Sequence, residues 1–170
     1  PKAEIVMFEK GDYISFANCG LPYHVGNVIK RRDNLIVMSP EKFMARTGID
    51  VRPGCEVTSI DRTSKKISYR KKGSAETLSE SYDKLLISTG ASPMRQNVPG
   101  ADLPEVLNLW TIPDMDGIKS RVDAGAKRAV VVGGGFIGVE AAENLAEREV
   151  ATTIVHRRNH LMPNLDPEMA

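Results

Sequence analysis

The chain has 170 residues, of which 41% are hydrophobic and 26% are charged. This length suits one sizeable or two small globular domains, and no apolar run is long enough to span a bilayer. Lysine and arginine total 23 against 22 acidic residues, and a net charge of +1 gives no reason to expect a nucleic acid or an anionic membrane as partner. Two cysteines and no signal peptide predict a reducing compartment, with the cytoplasm as the expected location.

The first half of the chain alternates short strands with short helices. An apolar strand is predicted at residues 4–8, and a helix over residues 19–29 has Pro22 in its first turn, where a missing amide donor is harmless. A second helix has Ser39 as its cap and Pro40 at its first position. Strands of an antiparallel excursion are predicted at residues 57–60, 66–69 and 82–87.

The second half has the order of a βαβ unit. A helix is predicted at residues 113–122, and the near-continuous apolar run 128–132 is typical of a strand buried in a parallel sheet. A helix at residues 136–148 and a strand at 151–155 complete the unit. Helix-start signals close to the last residue predict that the chain is a segment of a longer protein.

A glycine pattern joins the strand and the helix of this unit. Gly133, Gly135 and Gly138 fit G-x-G-x-x-G directly after an apolar strand and before a helix. The first glycine allows the tight turn, the second lets a pyrophosphate approach the backbone, and the third lets helix and strand pack closely. In this context the pattern favours dinucleotide binding over a merely structural turn.

The residues that end two strands indicate which dinucleotides would bind. His156, Arg157 and Arg158 follow the second strand of the βαβ unit, and positive charge there suits the 2′-phosphate of NADPH rather than NADH. The alternative is a solvated basic turn. Glu9 ends the first strand of the chain, where an acid suits the ribose of an adenine dinucleotide, although a surface acid is the alternative.

Cys19 opens the helix predicted at residues 19–29. Amide groups and the dipole of a helix N-terminus favour a thiolate, which is the reactive form of cysteine, whereas most buried cysteines are inert. Cys55 is interpreted as a packing or surface residue. His24 and His160 lack the spacing of metal ligands, so no metal site is predicted.

Three motifs in order resemble the single-cysteine flavoprotein disulfide reductases. They are residues 15–23 around Cys19, residues 88–93 and residues 132–140. That group includes coenzyme A disulfide reductases, NADH oxidases, NADH peroxidases and persulfide reductases. The resemblance covers essentially the whole chain.

The resemblance implies an α/β fold with two Rossmann-like, three-layer nucleotide-binding domains, both incomplete here. Residues 1–112 would be part of an FAD domain that carries the antiparallel excursion, and residues 113–170 the first half of an NAD(P) domain. The family also implies a homodimer when the protein is full length. The cofactors implied are FAD and either NADPH or NADH.

The resemblance also assigns roles to individual residues. Cys19 matches the redox cysteine, and Ser15 and Asn18 match residues that contact coenzyme A. The cofactor-binding positions that it implies are Glu9, Lys10, Val57, Ser88, Thr89, Gly90, Gly133, Gly135, Phe136, Ile137, Gly138, Glu140, His156, Arg157 and Arg158.

Two departures from related enzymes bear on the chemistry. The larger glutathione reductase group has a second cysteine five positions beyond the first, where this chain has His24. Cys19 would therefore cycle through a mixed disulfide, a persulfide or a sulfenic acid. Trp110 stands where similar enzymes more often carry arginine.

The expected function is reduction of coenzyme A disulfide or a related persulfide by NAD(P)H through FAD and Cys19. The residues just before the cysteine, Ala17 and Asn18, are more similar to those of coenzyme A disulfide and persulfide reductases than to those of the oxidases and peroxidases. An NAD(P)H oxidase or peroxidase is the first alternative. A nucleotide-binding redox sensor without turnover is an alternative of another class.

Overall fold

The structure is a computed structural model that describes residues 3–169. The chain divides into two compact units, one of residues 1–16 and 36–91 and the other of residues 17–35 and 92–170. Each unit contains helix and sheet, which confirms the predicted α/β class. The predicted limits of the two nucleotide-binding domains stay a prediction. Across residues 3–169, every helix is too short or too polar to cross a bilayer.

Eleven helices and strands are present in residues 3–169. In chain order they are β1 (Val6–Glu9), α1 (Leu21–Val25), α2 (Pro40–Thr47), β2 (Asp50–Pro53), β3 (Cys55–Asp61), β4 (Lys66–Lys71), β5 (Leu78–Ser81), α3 (Ile112–Asp123), β6 (Arg128–Val132), α4 (Phe136–Ala146) and β7 (Ala151–Val155). Short 3-10 turns lie at Asn18–Gly20, Arg32–Leu35 and Pro167–Met169.

The first unit combines a parallel strand pair with an antiparallel sheet. Strands β1 and β2 run parallel, and β3, β4 and β5 form an antiparallel sheet in that order. Helix α2 begins as predicted, with Ser39 accepting a hydrogen bond from the amide of Lys42. The rings of Phe8 and Tyr69 pack with their centroids 4.8 Å apart, and Arg52 lies 5.2 Å from the Phe8 centroid.

The strand predicted at residues 82–87 is wrong. The third strand of the antiparallel sheet is β5, four residues earlier in the chain, and residues 83–91 have no regular secondary structure. Leu86 is 89% exposed and Ile87 is 64% exposed. An apolar run forms a strand only where a neighbouring strand completes its hydrogen bonds, and β5 already occupies the free edge of β4.

The second unit begins with a shorter helix than the sequence predicts. A 3-10 turn, Asn18–Gly20, contains Cys19, and α1 continues only to Val25. Asn27 then adopts a φ of 63°, a left-handed conformation that a continuing helix does not allow. The predicted helix over residues 19–29 is therefore wrong in its extent, although Pro22 does lie in its first turn.

The βαβ unit forms as predicted. Strands β6 and β7 pair in parallel with the predicted bounds, and α4 connects them. The burial of β6 differs from the prediction, because Val130 is 64% and Val132 is 76% exposed. Helix α4 packs against both strands, and among the described residues β6 and β7 form a sheet of only two strands.

Helix α1 packs against α3 and α4 in the core of this unit. Leu21, Ile112 and Met115 are fully buried there. Gly26 caps the end of α1 beside Asn144 of α4, where any β-carbon would collide with the Asn144 side chain. Asn144 is 2% exposed and its amide donates to the Glu140 carbonyl at 2.8 Å, so the side chain has little freedom to move away.

Replacing Gly26 with alanine will therefore weaken the packing of α1 on α4. We expect Gly26→Ala to lower the free energy of unfolding by about 1–3 kcal/mol, the usual cost of overpacking a core. Urea denaturation followed by the fluorescence of Trp110, the one tryptophan in the chain, measures the second unit. Gly117 in α3 has open space around it, so the matched control Gly117→Ala will stabilise the unit by about 0.5–1 kcal/mol. Equal effects of the two substitutions would contradict this account.

An ion pair joins the 3-10 turn after α1 to α3. The guanidinium of Arg32 donates to both carboxylate oxygens of Asp116, at 2.8 Å from Nε and 2.6 Å from Nη2. This hydrogen bonding holds the pKa of Asp116 below its ordinary value of 3.8. The two side chains are 37% and 40% exposed, so solvent screening leaves the pair a small contribution to stability.

The Arg32–Asp116 pair will make stability depend on pH in one direction. At neutral pH, Asp116→Asn will lower the free energy of unfolding by about 0.5 kcal/mol. Because the pKa is lowered by folding, this contribution is complete above the unfolded-state pKa and is lost as the pH falls through the folded-state pKa. Urea denaturation across the acid range will show the difference from wild type disappearing. The control Asp33→Asn, at an 81% exposed side chain, will show no difference at any pH, and a pH-independent effect of Asp116→Asn would contradict the assignment.

Candidate functional site

The glycine turn between β6 and α4 has the geometry that the sequence predicts. Gly133 adopts a φ of 115°, which favours glycine, and its amide donates to the Val155 carbonyl at 2.9 Å. A β-carbon on Gly138 would collide with the carbonyl oxygen of Gly133. Gly135 has open space around its α-carbon. The turn therefore combines close packing at its third glycine with open access at its second.

The basic residues after β7 lie beside this turn. The amide of Gly134 donates to Nδ1 of His156 at 3.0 Å, which brings the end of β7 against the glycine turn. Arg157 and Arg158 come next in the chain and are exposed. Phe136 and Ile137, the first residues of α4, are also more than half exposed.

A cavity of about 210 Å³ lies beside Cys19 in the second unit. It brings Asn18 and Cys19 together with Ile137 and Glu140 from the first turns of α4. The cysteine is exposed and has no disulfide partner. Four residues that the sequence singled out, two from the cysteine motif and two from the glycine motif, therefore surround one space.

The remaining wall of the cavity is apolar and was not predicted. It consists of Leu21, Pro22, Leu109 and Trp110. Trp110 was singled out in the sequence only as an unusual residue, and its position beside Cys19 depends on how residues 92–111 fold back. The only feature of the sequence that could have drawn attention to this wall is a lone tryptophan just before a capped helix.

The structure gives Cys19 little stabilisation from a helix dipole. Cys19 lies in a 3-10 turn, and the α1 helix that follows has only five residues, too few for a strong dipole. Nδ1 of His24 lies 2.6 Å from the Ile29 carbonyl oxygen and the ring is buried, so His24 has a structural contact rather than a free ring. The redox role of Cys19 stays a prediction.

The other predicted site residues lie in the first unit. Glu9 ends β1, and its Oε1 accepts a hydrogen bond from the Gly11 amide at 2.6 Å. Ser15 is half-buried and its carbonyl oxygen accepts a hydrogen bond from the amide of Val37. The exposed members of the predicted set in this unit are Lys10, Val57, Ser88, Thr89 and Gly90.

Comparison with known proteins decides the family. The family model for pyridine nucleotide-disulphide oxidoreductases matches residues 1–170. The chain belongs to this family. The resemblance seen in the three sequence motifs is thus confirmed.

Among residues 3–169, no group of three or more histidine, cysteine or acidic side chains could hold a metal ion.

The relatives of this chain include reductases of disulfides and persulfides. It is 35% identical over 168 residues to the coenzyme A disulfide reductase of Staphylococcus haemolyticus, covering 98% of this chain and 38% of that protein. The reduced CoADR-RHD structure of Bacillus anthracis is 44% identical with a TM-score of 0.91, over 98% of this chain and 30% of that one. The NAD-dependent persulfide reductase of A. fulgidus is 35% identical with a TM-score of 0.92, over 99% and 32%. The chain thus spans about 38% of the length of the curated relative.

The glycine turn generates a prediction that separates folding from binding. Gly138→Ala will destabilise the second unit by about 1–3 kcal/mol, because its β-carbon meets a backbone carbonyl that cannot move aside. Gly135→Ala meets no atom within 4 Å and will keep the stability of the wild type. It will nevertheless weaken dinucleotide binding roughly tenfold, since it occupies the space that the pyrophosphate needs.

Urea denaturation and calorimetric titration with NADP⁺, both on the intact protein, measure the two effects. Wild-type affinity in Gly135→Ala would show that the pyrophosphate does not approach the second glycine.

Proposed function

We propose that this chain is the thiol-bearing part of an NAD(P)H-dependent flavoprotein that reduces a small disulfide or persulfide. The observation that carries the proposal is the cavity that Cys19 shares with Ile137 and Glu140. A thiol there adjoins the helix that begins at the glycine turn. The names of the relatives support coenzyme A disulfide as the favoured substrate and a persulfide as the second.

Cys19 reacts by thiol–disulfide exchange. Its thiolate attacks one sulfur of the disulfide RSSR, forms a mixed disulfide with one half and releases the other half as RS⁻. Two electrons from NAD(P)H then break the mixed disulfide, which frees the second RS⁻ and restores the Cys19 thiolate. The overall reaction is NAD(P)H + H⁺ + RSSR to NAD(P)⁺ + 2 RSH. Because His24 stands five positions beyond Cys19, where the glutathione reductase group has its second cysteine, the proposal takes the second sulfur from the small substrate.

The residues present fit the flavin that this chemistry requires. FAD, when bound, supplies the two-electron link between nicotinamide and sulfur. The cavity beside Cys19 has a mostly apolar lining, and its 210 Å³ is below the roughly 300–1,000 Å³ of a complete ligand pocket, so it would hold part of a ligand rather than a whole dinucleotide. The Gly11 amide fixes the Glu9 carboxylate at the end of β1, where it would accept a hydrogen bond from a ribose hydroxyl.

NADPH is favoured over NADH as the electron donor. Arg157 and Arg158 are exposed after β7, beside the glycine turn, and a guanidinium binds a phosphate through paired hydrogen bonds. Asn18 lines the same cavity as Cys19, which supports the proposed contact between Asn18 and the substrate. The proposal also includes a contact from Ser15 to coenzyme A and a homodimer, which rest on the family resemblance, and a cytoplasmic location, which rests on the low cysteine content.

Replacing Cys19 with serine tests the proposal. In the intact protein, Cys19→Ser will retain FAD and lose disulfide reduction by roughly 10³-fold or more, because a serine hydroxyl cannot form the mixed disulfide. The matched control Cys55→Ala removes the other cysteine of these 170 residues and will retain turnover. Release of free thiol from coenzyme A disulfide, with NADPH consumption recorded in parallel, measures both variants.

Three outcomes would redirect the assignment. Undiminished thiol release by Cys19→Ser would refute the role of Cys19. Oxygen or peroxide consumption without thiol release by the wild type would favour an NAD(P)H oxidase or peroxidase. A wild type that undergoes oxidation at Cys19 but turns over no acceptor would favour a redox sensor.

A further inference from the structure

Gly134 lies between Gly133 and Gly135, and both its backbone amide and its carbonyl oxygen form hydrogen bonds. Its amide donates to Nδ1 of His156 at 3.0 Å. Its carbonyl oxygen accepts a hydrogen bond from the Met162 amide at 2.6 Å. Both partners belong to residues 156–162, the segment that leaves β7, so this segment and the glycine turn are tied at two points.

The same segment packs around Gly134. The glycine is buried, and a β-carbon built on it would lie 2.5 Å from Cδ2 of Leu161 and 3.0 Å from Cγ of His156. The end of the Leu161 side chain is 37% exposed and can turn aside, whereas the His156 ring would have to shift by a few tenths of an ångström, so a β-carbon at this position presses on His156. Met162 has a φ of 52°, a left-handed conformation that turns the chain back toward the glycine turn.

The hydrogen bond from the Gly134 amide determines which nitrogen of the His156 ring carries the proton. Since Nδ1 accepts a backbone hydrogen bond, the neutral ring carries its proton on Nε2. Nε2 is buried and has no hydrogen-bond partner among the residues that the structure describes. The ring therefore packs against the turn, and only Arg157 and Arg158 present exposed charge at the end of β7.

We propose that residues 156–162 form a clasp on the glycine turn, in which His156 is a positioning residue and not a coenzyme ligand. The clasp holds the turn in the shape that receives the pyrophosphate, which NADPH and NADH share. Discrimination between the coenzymes is then assigned to Arg157 and Arg158 rather than to His156. This inference rests on the proposed function for the identity of the coenzymes, and it assigns affinity and specificity to different residues.

Substitutions at His156 separate the two roles. In the intact protein, His156→Leu keeps similar bulk but removes the acceptor, and it will raise KM for NADPH and for NADH by the same factor, roughly tenfold, with kcat unchanged. His156→Asn places an oxygen near the position of Nδ1 and will restore both values. The double variant Arg157→Ala/Arg158→Ala will raise KM for NADPH only.

Amide hydrogen exchange gives a readout that needs no coenzyme. Mass spectrometry of the peptide that contains Gly134 will show faster exchange in His156→Leu and wild-type exchange in His156→Asn. Gly134→Ala, whose β-carbon presses on the His156 ring without altering a polar side chain, will raise KM for both coenzymes by a common factor and speed exchange in the same peptide. It serves in place of His156→Leu if that variant does not fold.

Two results would overturn the clasp. An increase in KM for NADPH alone in His156→Leu would make His156 a ligand of the 2′-phosphate. Unchanged hydrogen exchange at Gly134 in His156→Leu would show that the hydrogen bond does not hold the turn. If the wild type uses neither coenzyme, the proposed function fails, and the exchange measurement still decides whether the clasp exists.

Discussion

The close approach of α1 to α4 is the constraint on which the candidate site depends. Gly26 has no side chain, so the end of α1 can lie against the buried Asn144 of α4. Cys19 lies in the 3-10 turn just before α1, and Ile137 and Glu140 lie at the start of α4. The packing of these two helices therefore fixes the position of the thiol relative to the other residues of the cavity. A second close approach, of Gly138 to the Gly133 carbonyl, sets α4 on the glycine turn. One helix thus adjoins both the thiol and the proposed dinucleotide site.

Packing contributes more than charge to this arrangement. Leu21, Ile112 and Met115 are fully buried between α1 and α3, and each is worth about 1.5–3 kcal/mol as buried apolar surface. The Arg32–Asp116 pair at the edge of the same interface is more than one-third exposed and contributes a fraction of that. The position of Cys19 should therefore tolerate changes of salt and pH better than changes in the volume of the core.

The sequence predicts best where local chemistry decides the structure. Both strands of the βαβ unit have the predicted bounds, because β6 is an apolar run that ends at the glycine turn and β7 is a β-branched run that ends at basic residues. The strand at residues 82–87 was wrong because a strand depends on a neighbour that no local pattern reveals. The helix from Cys19 was predicted too long, because apolar residues continue past Asn27, where the backbone becomes left-handed. The position of Trp110 on the cavity wall and the hydrogen bond from Gly134 to His156 both depend on tertiary folding. The sequence therefore identifies these residues as candidates but does not predict what they contact.

The central proposal is that Cys19 lies beside a bound flavin at the cavity that it shares with the start of α4. The most direct test is to titrate the intact protein with NADPH while recording the visible absorption spectrum. We predict a long-wavelength charge-transfer band between the Cys19 thiolate and oxidised flavin, present in the wild type and absent from Cys19→Ser. A wild type that contains flavin and is reduced by NADPH, but shows no such band at any stage, would contradict the claim.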